Sequence, residues 1–171
     1  MDKKPYILSI DGRAAAGKTT LAEELARIFD APVIHIDDFF LPLELRTDER
    51  LRQPGGNVHY ERFKSEVVDM LCLGRDFSYR RFDCKTKSLA EMISIPYAPV
   101  YIVEGSYSHH PCFGDYADLR IFKDIDKETQ WERILKRNGL PWADEFRYKW
   151  IPMEEEYFSF FGIREKADLV L

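Results

Sequence analysis

The sequence predicts an α/β protein in which helices flank a mostly parallel sheet. Apolar runs with strand-like composition alternate along the chain with segments whose apolar residues recur at helical spacing. This alternation is the pattern of a parallel sheet covered by helices. The run at residues 100–103 is apolar throughout, as expected for a strand buried on both faces. At 171 residues the chain has the length of one domain with a substantial core, so we expect 1–171 to form a single domain.

The individual elements follow from these patterns, and two segments stand apart from them. We expect strands at residues 6–11, 33–36, 100–104, 118–122 and 168–171. We expect helices at residues 18–29, about 59–73, 127–138 and about 144–160. Residues 74–98 mix aromatic, basic and β-branched side chains, and they predict a small β-rich insertion beside a pocket. Residues 41–58 contain prolines and glycines that predict a mobile loop.

The bulk properties bear on location and partners. The formal net charge of −5 opposes attraction to nucleic acid or to an anionic membrane surface, and we expect neither as a partner. No apolar stretch approaches the ~20 residues of a membrane span. The first five residues lead directly into the first predicted strand, which leaves no room for a signal peptide. The expected location is the cytoplasm, and the sequence gives no indication of the oligomeric state.

The cysteines and histidines offer little metal-binding chemistry. Cys72, Cys84 and Cys112 are widely spaced and odd in number, which is typical of reduced thiols in a cytosolic protein. His109 and His110 lie close to Cys112, but two adjacent histidines do not easily share one metal ion. A structural zinc site is therefore the less favoured interpretation of this segment.

Residues 12–19 form a complete G-x-x-x-x-G-K-[ST] sequence between the first predicted strand and the first predicted helix. In that context backbone N–H groups wrap the phosphates of a nucleotide, and the helix N-terminus adds its positive dipole end. Lys18 then reaches the β- and γ-phosphate oxygens, and the Thr19 hydroxyl is placed to bind Mg²⁺. The alternative is a simple glycine turn that leads into a helix. The predicted nucleotide-binding residues are Gly12, Arg13, Ala14, Ala15, Ala16, Gly17, Lys18, Thr19 and Thr20.

Two predicted strands end in carboxylates, and the strand ends of a parallel sheet gather at the same edge as the phosphate loop. Asp37 and Asp38 follow the second strand, and Asp37 is the candidate base that orients and deprotonates an attacking hydroxyl. The alternative is that either aspartate only caps the following turn. Glu104 ends the third strand and is a candidate Mg²⁺ ligand together with Thr19; the alternative is an ordinary charge at a strand end.

Basic residues in the last third of the chain predict a helical lid over about 133–149. Arg133 and Arg137 are four residues apart and share one helix face. Arginines of a closing lid can neutralise the charge that develops on a transferring phosphoryl group. Both are therefore candidate catalytic residues, together with Lys18 and Asp37. The alternative is a solvated helix face on which these cations pair with neighbouring acids.

A further group of residues predicts a pocket for a second substrate. Its members combine aromatic faces, arginines and a carboxylate, which suits a polar, ring-bearing molecule with hydroxyl groups. The alternative for each residue is an ordinary role in packing or on the surface. The candidates are Asp38, Phe40, His59, Tyr79, Arg81 and Arg147.

Four parts of the chain resemble the uridine kinase-like branch of the P-loop kinases, which includes phosphoribulokinase and bacterial-type pantothenate kinase. They are the phosphate loop with Thr20, residues 37–40 (DDFF), residues 103–105 (VEG) and the strand at 118–122 that precedes the arginine helix. The phosphate loop is specific to the superfamily, and the next two elements are specific to this branch. The resemblance spans almost the whole chain.

This resemblance implies the P-loop NTPase fold, ATP as the phosphoryl donor and Mg²⁺ as the metal. By the same likeness Asp37 corresponds to the catalytic base and Glu104 to the magnesium-side acid. Arg133 and Arg137 correspond to lid arginines, and Tyr79 looks like the tyrosine that lines the nucleoside site.

The chain departs from the uridine kinase pattern at the acceptor site and not at the ATP site. In residues 57–63 the acid that holds ribose hydroxyls is missing or moved. Residues 79–84 lack the family's Y-D pair with its downstream histidine and arginine, and residues 137–139 (RNG) replace an R-D…R-G-R run. Phosphoryl transfer is therefore better supported than uridine as the substrate.

The expected function is Mg²⁺·ATP-dependent transfer of the γ-phosphoryl group to a hydroxyl of a small molecule, with a nucleoside as the favoured acceptor. One alternative is another acceptor, such as pantothenate, a sugar or an antibiotic. The other is a nucleotide-dependent switch or binding module without an acceptor. The separate acid at Asp37 and the aromatic and basic pocket favour a kinase, because a switch needs no acceptor site.

Overall fold

The structure, a computed structural model, describes residues 4–171. Its centre is a parallel sheet, as the sequence predicts. The strands are β1 Tyr6–Gly12, β2 Val33–His35, β3 Phe77–Asp83, β4 Ser88–Ile95, β5 Val100–Glu104, β6 Leu119–Lys123 and β7 Leu169–Val170. Five of them form the sheet in the order β2-β5-β1-β6-β7, with every neighbouring pair parallel. The other two, β3 and β4, form a separate antiparallel hairpin, which confirms the predicted β-rich insertion.

The helices are α1 Lys18–Phe29, α2 Asp48–Leu51, α3 Tyr60–Phe63, α4 Asp69–Leu71, α5 Lys127–Asn138, α6 Leu140–Glu145 and α7 Ile151–Phe161. Wider π-type turns at Lys64–Val68 and Phe146–Trp150 join α3 to α4 and α6 to α7, so residues 60–71 and 140–161 each run as one helix. None of the helices within residues 4–171 is long and apolar enough to cross a membrane.

Most predicted boundaries lie within two residues of the observed ones, and two segments differ by more. The last long helix begins at Leu140 and not near residue 144, and Pro141 lies in its first turn. A proline is tolerated there because the first N–H groups of a helix have no hydrogen-bond partner within the helix. The segment 41–58 is not entirely a loop. It contains a 3₁₀ turn at Leu43–Leu45 and the short helix α2, whose first turn is capped by the Thr47 hydroxyl.

An arginine holds the segment 41–58 against the helix that follows it. Arg50 donates to both carboxylate oxygens of Glu61, at 2.6 and 2.9 Å, and also to the backbone oxygens of Gly56 and Val58. Its guanidinium lies 3.7 Å from the ring centroid of Tyr60. The hydrogen bonds from Arg50 lower the pKa of Glu61 to about 2. The segment therefore has a defined shape where it meets the helix at residues 60–71.

Both faces of the sheet are covered. On one face α1 packs on alternate residues of β1 and its neighbours, including Leu8, Ile10 and Ile102. On the other face the larger cluster joins Ile7 and Val103 to helix 60–71, the hairpin and α7. Consecutive residues of β1 thus face opposite layers, as expected for a central strand of a parallel sheet.

The register aligns the carboxyl ends of three strands. Glu104 pairs with Ile10 of β1 on one side and with His35 of β2 on the other. Gly12 at the end of β1 lies beside Lys123 of β6, so closely that a Cβ on Gly12 would be 2.1 Å from the Lys123 backbone oxygen. The phosphate loop therefore leaves the sheet at the point where the order of strands reverses, which is the usual place for a ligand in such sheets.

A buried carboxylate lies directly beneath this edge. Asp11 is 0% exposed and accepts hydrogen bonds from the backbone N–H groups of Gly12, Tyr107 and His109, at 2.7, 3.1 and 3.0 Å. The Tyr157 hydroxyl of α7 donates a fourth, at 2.8 Å. One side chain thus joins β1, the segment after β5 and the last helix.

We expect Asp11→Asn to lower the free energy of unfolding by about 3 kcal/mol or more, because an amide nitrogen cannot accept the bonds that a carboxylate oxygen accepts. Tyr157→Phe removes one of the four bonds and should cost about 1–2 kcal/mol. Urea unfolding followed by circular dichroism measures both. Values within about 0.5 kcal/mol of wild type, the range of ordinary surface substitutions, would contradict this account.

Candidate active site

The phosphate loop has the backbone conformation that its glycines permit. Gly12 and Gly17 adopt φ values of 134° and 92°, and Ala15 adopts a left-handed φ of 60°. Gly17 directly precedes α1, so the loop ends at the N-terminus of that helix. A loop of this shape at a helix N-terminus is suited to bind the phosphates of a nucleotide.

Lys18 lies across the loop. Its Nζ donates to the backbone oxygens of Gly12 and Arg13, at 2.7 and 2.9 Å, and lies 3.1 Å from the Ser106 hydroxyl. The Arg13 side chain points elsewhere, because it pairs with Asp124 and Glu155. Arg13 therefore contributes to this site through its backbone.

Thr19 and Glu104 lie side by side at the edge of the sheet. The Thr19 hydroxyl is 3.3 Å from both carboxylate oxygens of Glu104, which is 6% exposed. His35 on β2 lies with its Nδ1 2.5 Å from Glu104 Oε1, and this hydrogen bond raises the pKa of His35. His35 was not among the predicted site residues, although its position two residues before the Asp37 and Asp38 pair is visible in the sequence.

The Thr19 and Glu104 oxygens fit a magnesium ion. Hydroxyl and carboxylate oxygens are ligand types that Mg²⁺ accepts, and it usually takes few protein ligands beside phosphate oxygens and water. Within residues 4–171 there is no group of three or more His, Cys, Asp or Glu side chains that could hold a metal by themselves. His109 and His110 point to different partners, the backbone oxygens of Ser9 and Pro54.

The two aspartates after β2 have different surroundings. Asp37 lines the cleft above the loop and has no hydrogen bond to a side chain within the described residues. The Asp37 carboxylate is exposed to the cleft. Beyond direct contact distance, however, many protein atoms surround it. This enclosure raises the pKa of Asp37, and the negative charge of Glu104 adds to the rise. Asp38 instead accepts a 2.8 Å hydrogen bond from the hydroxyl of buried Tyr79.

The helices after β6 contact the loop directly. Arg133 on α5 donates to the Ala15 backbone oxygen at 3.2 Å, and buried Gln130 donates to the Ala14 backbone oxygen at 3.1 Å. Arg137, one turn further, lies 5.4 Å from the ring centroid of Phe146 and also lines the cleft. The predicted lid thus packs onto the loop in this structure.

A buried acid on α7 completes the loop's surroundings. Glu154 is 6% exposed and accepts hydrogen bonds from the Ala14 backbone N–H at 2.9 Å and from the Ser106 hydroxyl at 2.6 Å. Since Ser106 Oγ also lies near Lys18 Nζ, Glu154 and Lys18 are linked through one hydroxyl. Burial raises the pKa of Glu154, although the nearby charge of Lys18 opposes the rise.

These groups line one cleft of about 1030 Å³. Its loop side, defined by the phosphate loop, the segment after β5 and the lid helices, comprises Ala14, Ala15, Gly17, Lys18, Thr19, Thr20, Glu104, Gly105, Ser106, Arg133, Arg137, Trp142, Glu145, Phe146, Lys149, Trp150, Met153 and Glu154. Its hairpin side, defined by the segment 37–57, the hairpin and one tyrosine, comprises Asp37, Phe40, Arg46, Leu51, Asn57, Cys84, Lys87 and Tyr107.

The metal-binding and lid candidates line this cleft, as do all the phosphate-loop candidates except Gly12, Arg13 and Ala16, but only some of the predicted pocket residues do. Phe40 lines it. His59 faces a separate shallow depression beside Arg50 and Glu61. The other predicted pocket residues outside the lining are Asp38, Tyr79, Arg81 and Arg147.

Each of these four has a contact that explains its position. Tyr79 is 2% exposed and packs on Phe39 while its hydroxyl binds Asp38. Arg81 pairs with Glu91 of the same hairpin, and Arg147 lies over the ring of Trp131. Sequence reasoning named the correct segments, but the direction of each side chain is set by packing.

The cleft residues that the sequence analysis missed carry no motif. Glu154 and Ser106 gave no signal beyond a charge on a helix and a serine after a strand end. Arg46 and Lys87 lie in a loop and a hairpin turn, where no periodicity applies. Only the aromatic spacing of Trp142, Phe146 and Trp150, four residues apart, could have indicated a cleft-facing stripe.

A parallel sheet of this strand order, with a G-x-x-x-x-G-K-[ST] loop between the central strand and α1, defines the α/β fold of the P-loop NTPases. No protein-family model matches the chain. Over 145 residues it is 26% identical to uridine-cytidine kinase B of Dictyostelium discoideum, a match that covers 80% of this chain and 59% of that protein.

Over 176 residues the chain is 26% identical to the pantothenate kinase of Shewanella sediminis. This match covers 85% of this chain and 55% of that protein. The chain thus spans less than two thirds of the length of these curated relatives. The structure of a possible uridine kinase from Bacillus stearothermophilus superposes with a TM-score of 0.75 at 17% identity, covering 100% of this chain and 90% of that one. These likenesses confirm the fold and the resemblance to uridine kinase-like P-loop kinases.

We expect the stability of Glu154→Gln relative to wild type to be most favourable at about pH 8, because the raised pKa means that the folded state disfavours the ionised carboxyl. The advantage should shrink as the pH falls towards the ordinary value of 4.5, where the unfolded chain also takes up the proton. Thermal unfolding across this range measures it. Glu156→Gln, an exposed position on the same helix, is the matched control and should show no such trend. A Glu154→Gln variant that loses stability equally at every pH would contradict the prediction.

Proposed function

We propose that the protein is a kinase that uses Mg²⁺·ATP to phosphorylate a hydroxyl group of a small molecule. The observation that carries this proposal is the position of Asp37. Its carboxylate lines the same cleft as Lys18 and Thr19. Within the described residues no side chain donates a hydrogen bond to it. A base in that position is what phosphoryl transfer to an alcohol requires.

In the proposed reaction the loop backbone and Lys18 bind the β- and γ-phosphates of ATP. Asp37 orients the acceptor hydroxyl and takes its proton as the oxygen attacks the γ-phosphorus. Arg133 and Arg137 neutralise charge on the transferring group from the lid. Thr19 and Glu104 would hold Mg²⁺, which supplies positive charge beside the phosphate oxygens.

A nucleotide switch without an acceptor is the weaker alternative. A switch needs the loop, the lysine and the metal ligands, but it needs no unoccupied carboxylate opposite them. A switch also does not require the hairpin side of the cleft, which lines space in addition to that lined by the loop side.

The relatives suggest two kinds of acceptor. One is named for uridine and cytidine, which are neutral nucleosides, and the other for pantothenate, which carries a carboxylate. The sequence favours a nucleoside. The residues that the sequence assigned to the nucleoside site largely lie outside the cleft lining, so the nucleoside assignment draws its support from the resemblance alone.

Lys18→Ala and Asp37→Asn should each reduce phosphoryl transfer at least about 100-fold, for different reasons. Loss of Lys18 removes charge from the phosphates and should weaken ATP binding as well as turnover, by about 10²–10³-fold in rate. Loss of the Asp37 base should cost about 10²–10⁴-fold in kcat with ATP affinity nearly unchanged. Coupled ADP release and titration with a fluorescent ATP analogue separate the two effects.

Asp30→Asn serves as the control for the aspartate substitution. Asp30 is exposed at the end of α1 in a left-handed conformation that asparagine also adopts, so folding and activity should both persist. An Asp37→Asn enzyme with near-normal turnover would show that another group acts as the base.

The raised pKa of Asp37 predicts an acidic limb in the rate profile. The base acts only when it is deprotonated, so kcat should fall as the pH drops through a value above the ordinary 3.8. Initial rates between about pH 4 and 8, with folding checked by circular dichroism, give the midpoint. A profile that stays flat down to the ordinary value would contradict the role of this enclosed carboxylate.

A further inference from the structure

We propose that the hairpin side of the cleft selects an anionic alcohol, a hydroxyl-bearing molecule that carries a carboxylate or a phosphate monoester, over a neutral nucleoside or sugar. This rests on the proposed kinase activity and names the acceptor class of the same site. Two cations of the cleft lining that form no ion pair within residues 4–171 carry it.

Arg46 presents a guanidinium to the cleft that no acid neutralises. Its Nε donates to the Leu41 backbone oxygen at 2.7 Å, which fixes the half-buried stem. Within residues 4–171 no carboxylate oxygen lies within 4.0 Å of its nitrogens. By contrast, Arg50, Arg62 and Arg81 on neighbouring elements each pair with a glutamate.

Lys87 is the second cation of the hairpin side. It lies in the turn between β3 and β4, where its backbone adopts a left-handed φ of 56°. Its side chain lines the cleft, and within the part of the chain that the structure describes it forms no ion pair. Lys85, two residues earlier in the same turn, does not line the cleft.

These cations stand apart from the groups that serve the triphosphate. Lys18, Arg133 and Arg137 supply positive charge on the loop side of the cleft. Arg46 and Lys87 belong to the hairpin side, where Asp37 is the one acidic lining residue within residues 4–171. Cys84 lies near both Asp37 and Arg46, because both charges act on the pKa of its thiol, which burial raises. The cations therefore border the position of the attacking hydroxyl.

Charge decides between the acceptor classes. Two cations on one wall repel each other, and a neutral acceptor would exclude water from them without compensating their charge. A carboxylate or phosphate monoester offers paired oxygens that match a guanidinium in bidentate geometry, and an ammonium group adds a second contact. An anionic alcohol thus satisfies both groups and also leaves its hydroxyl for Asp37.

The anionic group does not react. The acceptor hydroxyl oxygen forms a bond to the γ-phosphorus, and the bond from that phosphorus to the β–γ bridging oxygen breaks with its electron pair going to ADP. The hydroxyl proton passes to Asp37. Arg46 and Lys87 act on the binding of the acceptor and not on the bonds that change.

The test compares matched pairs of alcohols that differ in one charged group, with ADP release as the readout. The pairs are glycerate and glycerol, pantothenate and pantothenol, ribose 5-phosphate and ribose, and uridine 5′-monophosphate and uridine. We expect the charged member of at least one pair to be used with kcat/KM at least about tenfold above its neutral member. Carboxylate and phosphate pairs distinguish the two sources of the anion.

Substitutions then assign the effect to residues. Arg46→Gln and Lys87→Gln should each raise KM for the charged acceptor about 10- to 100-fold and leave KM for ATP unchanged. Lys87→Arg keeps the charge and should restore most of the lost affinity. Arg52→Gln and Lys85→Gln, exposed cations outside the cleft lining, are the matched controls and should behave as wild type. Thermal unfolding of every variant verifies folding.

Each outcome has one consequence. Preference for a charged acceptor that depends on Arg46 or Lys87 supports the proposal. Equal or better use of the neutral members, insensitive to these substitutions, overturns it and leaves the kinase function standing. A charged preference that survives both substitutions also overturns it, because other groups then hold the anion. If no alcohol raises ADP release above background, the proposed kinase function itself fails, and this inference fails with it.

Discussion

The site depends on one buried carboxylate. Asp11 accepts four hydrogen bonds from three separate parts of the chain, and each part continues directly into the cleft. Gly12 begins the phosphate loop, Tyr107 follows Ser106, and Tyr157 lies one helical turn after Glu154. This junction lies one layer below the hydrogen bonds of Glu154 with Ala14 and Ser106, and together the two layers fix the loop, the serine and the acid relative to one another.

The cleft contains two carboxylic acids, Asp37 and Glu154, whose ionised forms lower the stability of the folded state. Burial raises the pKa of Glu154, and enclosure raises that of Asp37, so folding is opposed by their ionisation at neutral pH. Tyr107 also adopts a left-handed backbone conformation at φ 78°, which a non-glycine residue rarely does. Strained and desolvated groups concentrate at functional sites because function, and not stability, selects them. Their concentration around one loop is independent support for its role.

The sequence predicted the loop side of the site better than the hairpin side, and the reason is physical. The loop, Thr19 and Glu104 are placed by a local turn and by strand register, both of which leave clear patterns in sequence. The predicted sheet, hairpin and α1 were correct for the same reason. Whether Tyr79 faces the cleft or the core depends on a side-chain direction set by Phe39 and Asp38, which are distant in sequence. Arg46 lies in an aperiodic segment whose shape Arg50 fixes through tertiary contacts.

This division has a consequence for acceptor choice. The loop side is built on strands and helices of the central layer, so its geometry changes little without loss of the fold. The hairpin side is built on the segment 41–58 and on a two-stranded insertion outside the central sheet. A cation such as Lys87 in the exposed hairpin turn can change identity without disturbing the core. In the proposed kinase the same loop side can therefore serve neutral or charged alcohols, and we expect the charge of the hairpin side, more than the phosphate loop, to determine which alcohol is accepted.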